Sequence, residues 1–138
     1  GGITPQGWLF TMTRDEALDG FNSVHFLKHL LWHMESKLLV IWDGSTIHRN
    51  QCIKEFLSNS AAKQIHLERL PAYAPDLNPD KGVWNHLKYV ELKNVRCADL
   101  SNLRQKLHLA IRRLRGKPHL IQSFFALAGL SIKKARYL

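Results

Sequence analysis

Cysteine is scarce: two residues in 138, Cys52 and Cys97, far apart and in no CxxC pattern. That excludes a disulfide framework and the common zinc-finger spacings, and a reducing, cytoplasmic setting is expected. No apolar run reaches the roughly 18–20 residues of a membrane-spanning helix, and no signal peptide is visible. A membrane partner is therefore not expected. The chain opens on GGITPQGWLF without Met, as expected of a processed product or a fragment. Acid is also in short supply, with 11 Asp and Glu against 20 Lys and Arg, so the net charge is +9. Such an excess predicts a nucleic-acid partner, because phosphates attract Lys and Arg without any base being read. The alternative is a soluble basic protein with a solvated positive face. A hydrophobic content of 45% excludes disorder by composition. The length suits one domain, residues 1–138, with a real core.

The pattern along the chain predicts an α/β order. Ile3-Thr4 and Trp8–Thr13 flank Pro5-Gln6-Gly7 and read as a β-hairpin. From about Ser23 to Glu35, Val24, Leu27, Leu30, Leu31 and Met34 recur at helical spacing, with Asn22 or Ser23 as the cap. Lys37–Trp42 is a mostly apolar run that fits a strand buried on both faces. A helix is expected from about His48 to Ser58, and a second strand over Ile65–Leu70. Pro71–Pro79 is an extended connection. A helix then starts near Pro79 and carries Val83, Trp84, Leu87 and Val90. Asp99 or Ser101 caps a basic helix through Leu114, Gly116-Lys117-Pro118 breaks it, and a last helix runs from His119 to Leu130. Trp42, Trp84, Phe124 and Phe125 are expected in the core; Trp8 is either core or beside a site.

Asp43 is the strongest candidate for chemistry. It follows an apolar strand, so it stands at the carboxyl end of that strand, where α/β sheets bind ligands. It can be a metal ligand, an acid/base or the cap of the next turn, since Asp-Gly-Ser-Thr also makes an ordinary Asx turn. "LPAYAPDLNP" follows the next strand and leads into a helix whose first turn can face the same sheet edge. Two acidic groups brought to one edge suit a divalent-metal site for phosphoryl transfer on nucleic acid. His25, His29 and His33 form a stripe at i, i+4 and i+8; a pair can bind a metal, and exposed histidines are the plainer reading. The helix over Leu103–Leu114 is amphipathic and basic, as is the terminal "SIKKARYL". Such charges form either a solvated face or a DNA-backbone contact.

"LLVIWDGSTIHRNQCIKEFL" followed by "IHLERLPAYAPDLNPDKGVWNHLKYVEL" resembles the catalytic domain of mariner-type DDE transposases, in their bacterial insertion-sequence branch. The resemblance runs from the hairpin to "FFALAGL". It implies a ribonuclease-H-like α/β fold, a mixed sheet flanked by helices, here lacking its first strand and any separate DNA-end-binding domain. It implies DNA transposition and integration by metal-dependent strand cleavage and transfer, with Mg²⁺ or Mn²⁺ held by three carboxylates. Asp43 matches the second. The third, two residues after Asn-Pro, falls on Lys81, and Asp80 beside it is the substitute. The first lies on the strand before the hairpin. His48 matches a position near the site. Catalytic Asp43, Asp80 and His48, metal-binding Asp43 and Asp80, and DNA-contacting Arg49, Lys81, Arg104, Arg112, Arg113, Arg115 and Lys117 are what it implies. A homodimer or a complementing N-terminal transposase fragment is the implied partner besides DNA, in a bacterial, nucleoid-associated setting. Because Lys81 opposes a second divalent ion, this chain alone is expected to be inactive. The alternatives are a non-catalytic, basic DNA-binding remnant and a partner-binding module.

Overall fold

Two hydrophobic clusters, each drawn from its own part of the chain, organise the structure. The computed structural model describes residues 1–45, 50–59 and 63–130. The chain packs as two compact units, Gly1–Thr11 with the chain from Asp76 onward, and Met12–Pro75 between them. Among the described residues, helices alternate with two two-stranded sheets, a mixed α/β arrangement. None of these helices is long and apolar enough to cross a membrane.

In the first unit, β1 (Gly2–Ile3) pairs antiparallel with β2 (Leu9–Phe10), Ile3 opposite Leu9. The predicted hairpin is present, although its second strand stops at Phe10. Its turn is closed by Gly7 N–H donating to Thr4 O at 2.9 Å. Gly7 has φ +91°, and a Cβ there would stand 2.5 Å from Pro118 O, so both backbone and space demand glycine. The predicted helix after Pro79 is α3 (Asp80–His86), which loosens into a π-helical turn over Leu87–Glu91. Asp99 caps α4 (Leu100–Arg115) by accepting from Asn102 N–H at 2.7 Å. Pro118 sits in the first turn of α5 (Pro118–Leu127), where its missing N–H loses nothing. Val83, Leu87, Ile111, Leu114, Ile121 and Phe124 close the core. Gly82 lets α5 come close: a Cβ on it would lie 2.6 Å from the Phe124 ring.

In the second unit, α1 (Gly20–Met34) begins earlier than the apolar pattern predicts. Asp19, not Asn22 or Ser23, is the cap, its Oδ1 accepting from Asn22 N–H at 2.9 Å. Asn22 is the donor at that cap, which is why it cannot also be the capping residue. β3 (Leu38–Trp42) and β4 (Ile65–Arg69) pair in parallel, from Leu38 opposite Ile65 to Trp42 opposite Arg69. Asn50 caps α2 (Gln51–Ser58), accepting from Cys52 N–H at 2.9 Å. The core is small: Leu27, Phe56 and Ile65 are buried, with Leu38, Val40, Trp42 and Leu67 packed partly against them. One expectation is corrected. β3 is not buried on both faces, because Leu39 and Ile41 are 63% and 54% exposed. Its alternate residues Leu38, Val40 and Trp42 join the helices' cluster, and among the described residues the other face has no such cluster.

The expected aromatic core holds for Phe124 and, partly buried, for Trp42. It does not hold for Trp84, which is 38% exposed because its indole N–H reaches out to a carboxylate described below. Phe125 is half-buried, since it follows Phe124 on the helix and only one of two adjacent residues can face the core. Trp8 is 54% exposed.

Candidate functional site

The parallel pairing of β3 and β4 brings both strand ends to one sheet edge. Asp43 follows β3 there and is exposed. Its Oδ1 accepts from Ser45 N–H at 3.0 Å, the Asx turn that Asp-Gly-Ser predicts. Leu70 N–H donates to Trp42 O at 2.8 Å, extending the ladder one residue past β4. Pro71, Ala72 and Tyr73 therefore leave the sheet at the edge that carries Asp43. His48 and Arg49 lie outside the described residues, as does the terminal "SIKKARYL".

Asp80 opens α3 in the other unit. Its N–H donates to Asn78 Oδ1 at 3.1 Å. Its Oδ2 accepts from Trp84 Nε1–H at 2.9 Å, an i,i+4 pair along the helix. Its Oδ1 is buried with no hydrogen-bond partner among the described residues, on a side chain 19% exposed. One residue on, about 100° round the helix, Lys81 donates to Asp76 Oδ1. Both members of that ion pair are open to solvent, 45% and 87% exposed, so it contributes at most about 1 kcal/mol.

Divalent metals are the general cofactors of the nucleases this sequence resembles. Asp43 and Asp80 belong to different units, and Lys81 adds a cation beside Asp80. No cluster of three or more His, Cys, Asp or Glu among the described residues can hold a metal. Asp80 Oδ1 offers one oxygen, and Mg²⁺ keeps several waters and takes one or two carboxylates from a protein.

The basic residues of α4 and its end are partly committed to the protein itself. Arg115 Nε donates to Leu9 O at 3.0 Å and its Nη2 to Thr11 Oγ1 at 3.1 Å, so it clamps the hairpin. Arg113 Nε donates to Glu91 Oε2 at 2.7 Å, and Lys117 Nζ reaches Oε1 at 3.4 Å. Glu91 is 9% exposed, and His86 Nε2 stands 3.4 Å from the same Oε1. The Arg113 hydrogen bond holds the Glu91 carboxyl below its ordinary range; burial opposes this, and Lys117 adds to it. Arg104 is also engaged. Arg112 is exposed. On α1, the His29 and His33 rings lie 4.1 Å apart, with His33 Nδ1 2.9 Å from His29 O.

Sequence reasoning missed two residues. Glu91 gives no local signal, because its partners come from α4 and α5. Tyr73 does give one, a lone aromatic framed by Pro71 and Pro75. It is 103% exposed, the extreme among the large hydrophobic side chains of the described residues. Its backbone has φ +58°, which for a bulky residue costs roughly 1–3 kcal/mol.

A family model described as "DDE superfamily endonuclease" matches residues 1–104. No curated protein and no solved structure matches the chain.

Proposed function

The chain belongs to the DDE superfamily endonucleases, and on that premise we propose that it is a domain of DNA-cleaving and strand-transferring machinery, of mariner-type, bacterial insertion-sequence descent on a ribonuclease-H-like fold, with cleavage impaired by Lys81 in place of the third acid. The observation that carries this is the shared sheet edge. A carboxylate, Asp43, ends one parallel strand, and the connection from Pro71 that leads on to the Pro-Asp-Leu-Asn-Pro segment leaves the neighbouring strand at the same end. The reaction class is phosphodiester hydrolysis, followed by in-line attack of the freed 3′-hydroxyl on target DNA. Asp43 is a carboxylate of that machinery. DNA backbone is held by exposed cations such as Arg112, as a salt-dependent contact indifferent to sequence.

A second reading has its own observation: Lys81, at the position of the family's third acid, is ion-paired with Asp76. On that reading the chain binds DNA without cutting it. Nicking of supercoiled plasmid in Mg²⁺ or Mn²⁺ separates the two. The chain as it stands is expected to leave plasmid intact. Lys81→Glu, combined with a preceding strand ending in Asp, is expected to nick it, and Asp43→Ala in that background to abolish the nicking. Intact plasmid in every arm, with retained salt-sensitive binding, leaves the binding reading alone. DNA is the proposed partner, together with a second copy or a complementing N-terminal transposase segment.

A further inference from the structure

Tyr73 combines features that seldom coincide. Its side chain is 103% exposed, so it packs against none of the described residues. Its φ of +58° is one that a bulky residue adopts only against a steric penalty. The other two non-glycine residues with positive φ among the described residues have ordinary reasons. Glu35 is the left-handed C-cap of α1, and Asn94 is of the type that tolerates the conformation. Tyr73 caps no helix and fills no core. Pro71 and Pro75 frame it, and their fixed φ limits the conformations of the loop. Backbone strain with no packing to justify it points to function.

Place supplies the rest. Tyr73 follows β4 by four residues, on the connection that leaves the sheet edge bearing Asp43. We propose that Tyr73 is a nucleobase-stacking residue: its ring receives an unpaired base of DNA beside the Asp43 edge. This rests on the reading of the chain as a DNA-processing domain. An aromatic face suits a base, since every base offers a π-surface and stacking tolerates any sequence. An unpaired base is required, because bases inside a duplex are already stacked. The chain's excess of cations holds the phosphates, and the tyrosine adds the contact that distinguishes an opened or frayed end from continuous duplex. The phenol hydroxyl has no part in stacking.

The test is binding of the full chain to two fluorescent DNAs, a blunt duplex and the same duplex with a short unpaired end carrying 2-aminopurine. Wild type is expected to prefer the unpaired end and to quench the 2-aminopurine. Tyr73→Ala is expected to weaken binding to the unpaired end by about tenfold or more, and to leave the blunt duplex unchanged. Tyr73→Phe and Tyr73→Trp are expected to restore both preference and quenching. Tyr73→Gly separates stacking from folding: it removes the backbone strain, so thermal stability stays level or rises, while the preference is lost. Should Tyr73→Ala bind the unpaired end as wild type does, or should Tyr73→Phe fail to rescue, the stacking role is overturned and DNA binding stands. If wild type binds neither DNA at low salt, the DNA-processing reading itself falls, and the stacking role with it.

Discussion

The two units differ in how they use their side chains. The unit built from the hairpin, α3, α4 and α5 closes a core in which Val83, Ala110, Leu114 and Ile121 have no exposed surface. Its arginines are turned partly inward, onto Glu91, Leu9 and Thr11. Among its described residues, the unit built from α1, α2 and the parallel sheet buries the large side chains Leu27, Ile53, Phe56 and Ile65. It leaves Leu39, Ile41 and Tyr73 open, along with Phe21 and Trp32 on α1, 72% and 77% exposed. The first unit also leaves apolar side chains open, Val90 at 63% and Leu127 at 81%. What separates the two is how fully each closes its core and how far its cations are committed within the protein.

That contrast can be broken by substitution. Leu114→Ala is expected to cost about 2–5 kcal/mol of unfolding free energy in denaturant titration, since Leu114 is fully buried. Gly82→Ala drives a Cβ against the Phe124 ring and should cost about 1–3 kcal/mol by the same measurement. Glu91→Gln should cost about 1–2 kcal/mol near neutral pH. Its effect is also pH-dependent. The folded carboxyl titrates below the unfolded one, so its contribution is complete above the ordinary carboxylate range and disappears as pH falls through the folded value. The gap between wild type and Glu91→Gln in thermal melts should shrink accordingly on acidification. Ile41→Thr should change stability by no more than about 0.5 kcal/mol, as expected for an open site. A loss there comparable with Leu114→Ala would mean that the outer face of the sheet is covered, and the contrast between units would fail.

Local signals made much of this fold legible in the sequence. Asp99 and Pro118 announced where α4 and α5 begin, and the Asp-Gly-Ser turn after β3 was readable from three residues. Signals that depend on what lies opposite were not legible. An apolar run such as Leu38–Trp42 reads as doubly buried, yet burial is decided by whether a second layer covers the strand. The start of α1 was misplaced because Asp19 precedes the apolar stripe, while Asn22 mimics a cap. The candidate site followed the same rule. Asp43 and the Pro-rich segment were found from their order along the chain. The commitment of Arg115 to a carbonyl 106 residues away, and of Arg113 to Glu91, required the fold. A basic helix in a sequence states a charge without stating who uses it.

The clamp of Arg115 on the hairpin has a consequence for how the chain is made. Leu9 leaves the ribosome long before Arg115, and at roughly 5–20 residues per second it waits on the order of 5–20 s for its partner. The cluster of the second unit has all its members, from Val24 to Leu67, much sooner. The hairpin is thus an early-made piece that is finished last, held open while an entire unit is produced behind it. Closure over so long a stretch is slow. In the interval Ile3 and Leu9 lack the α4 and α5 residues that later cover them, so the apolar side of the hairpin stays open while the rest is made.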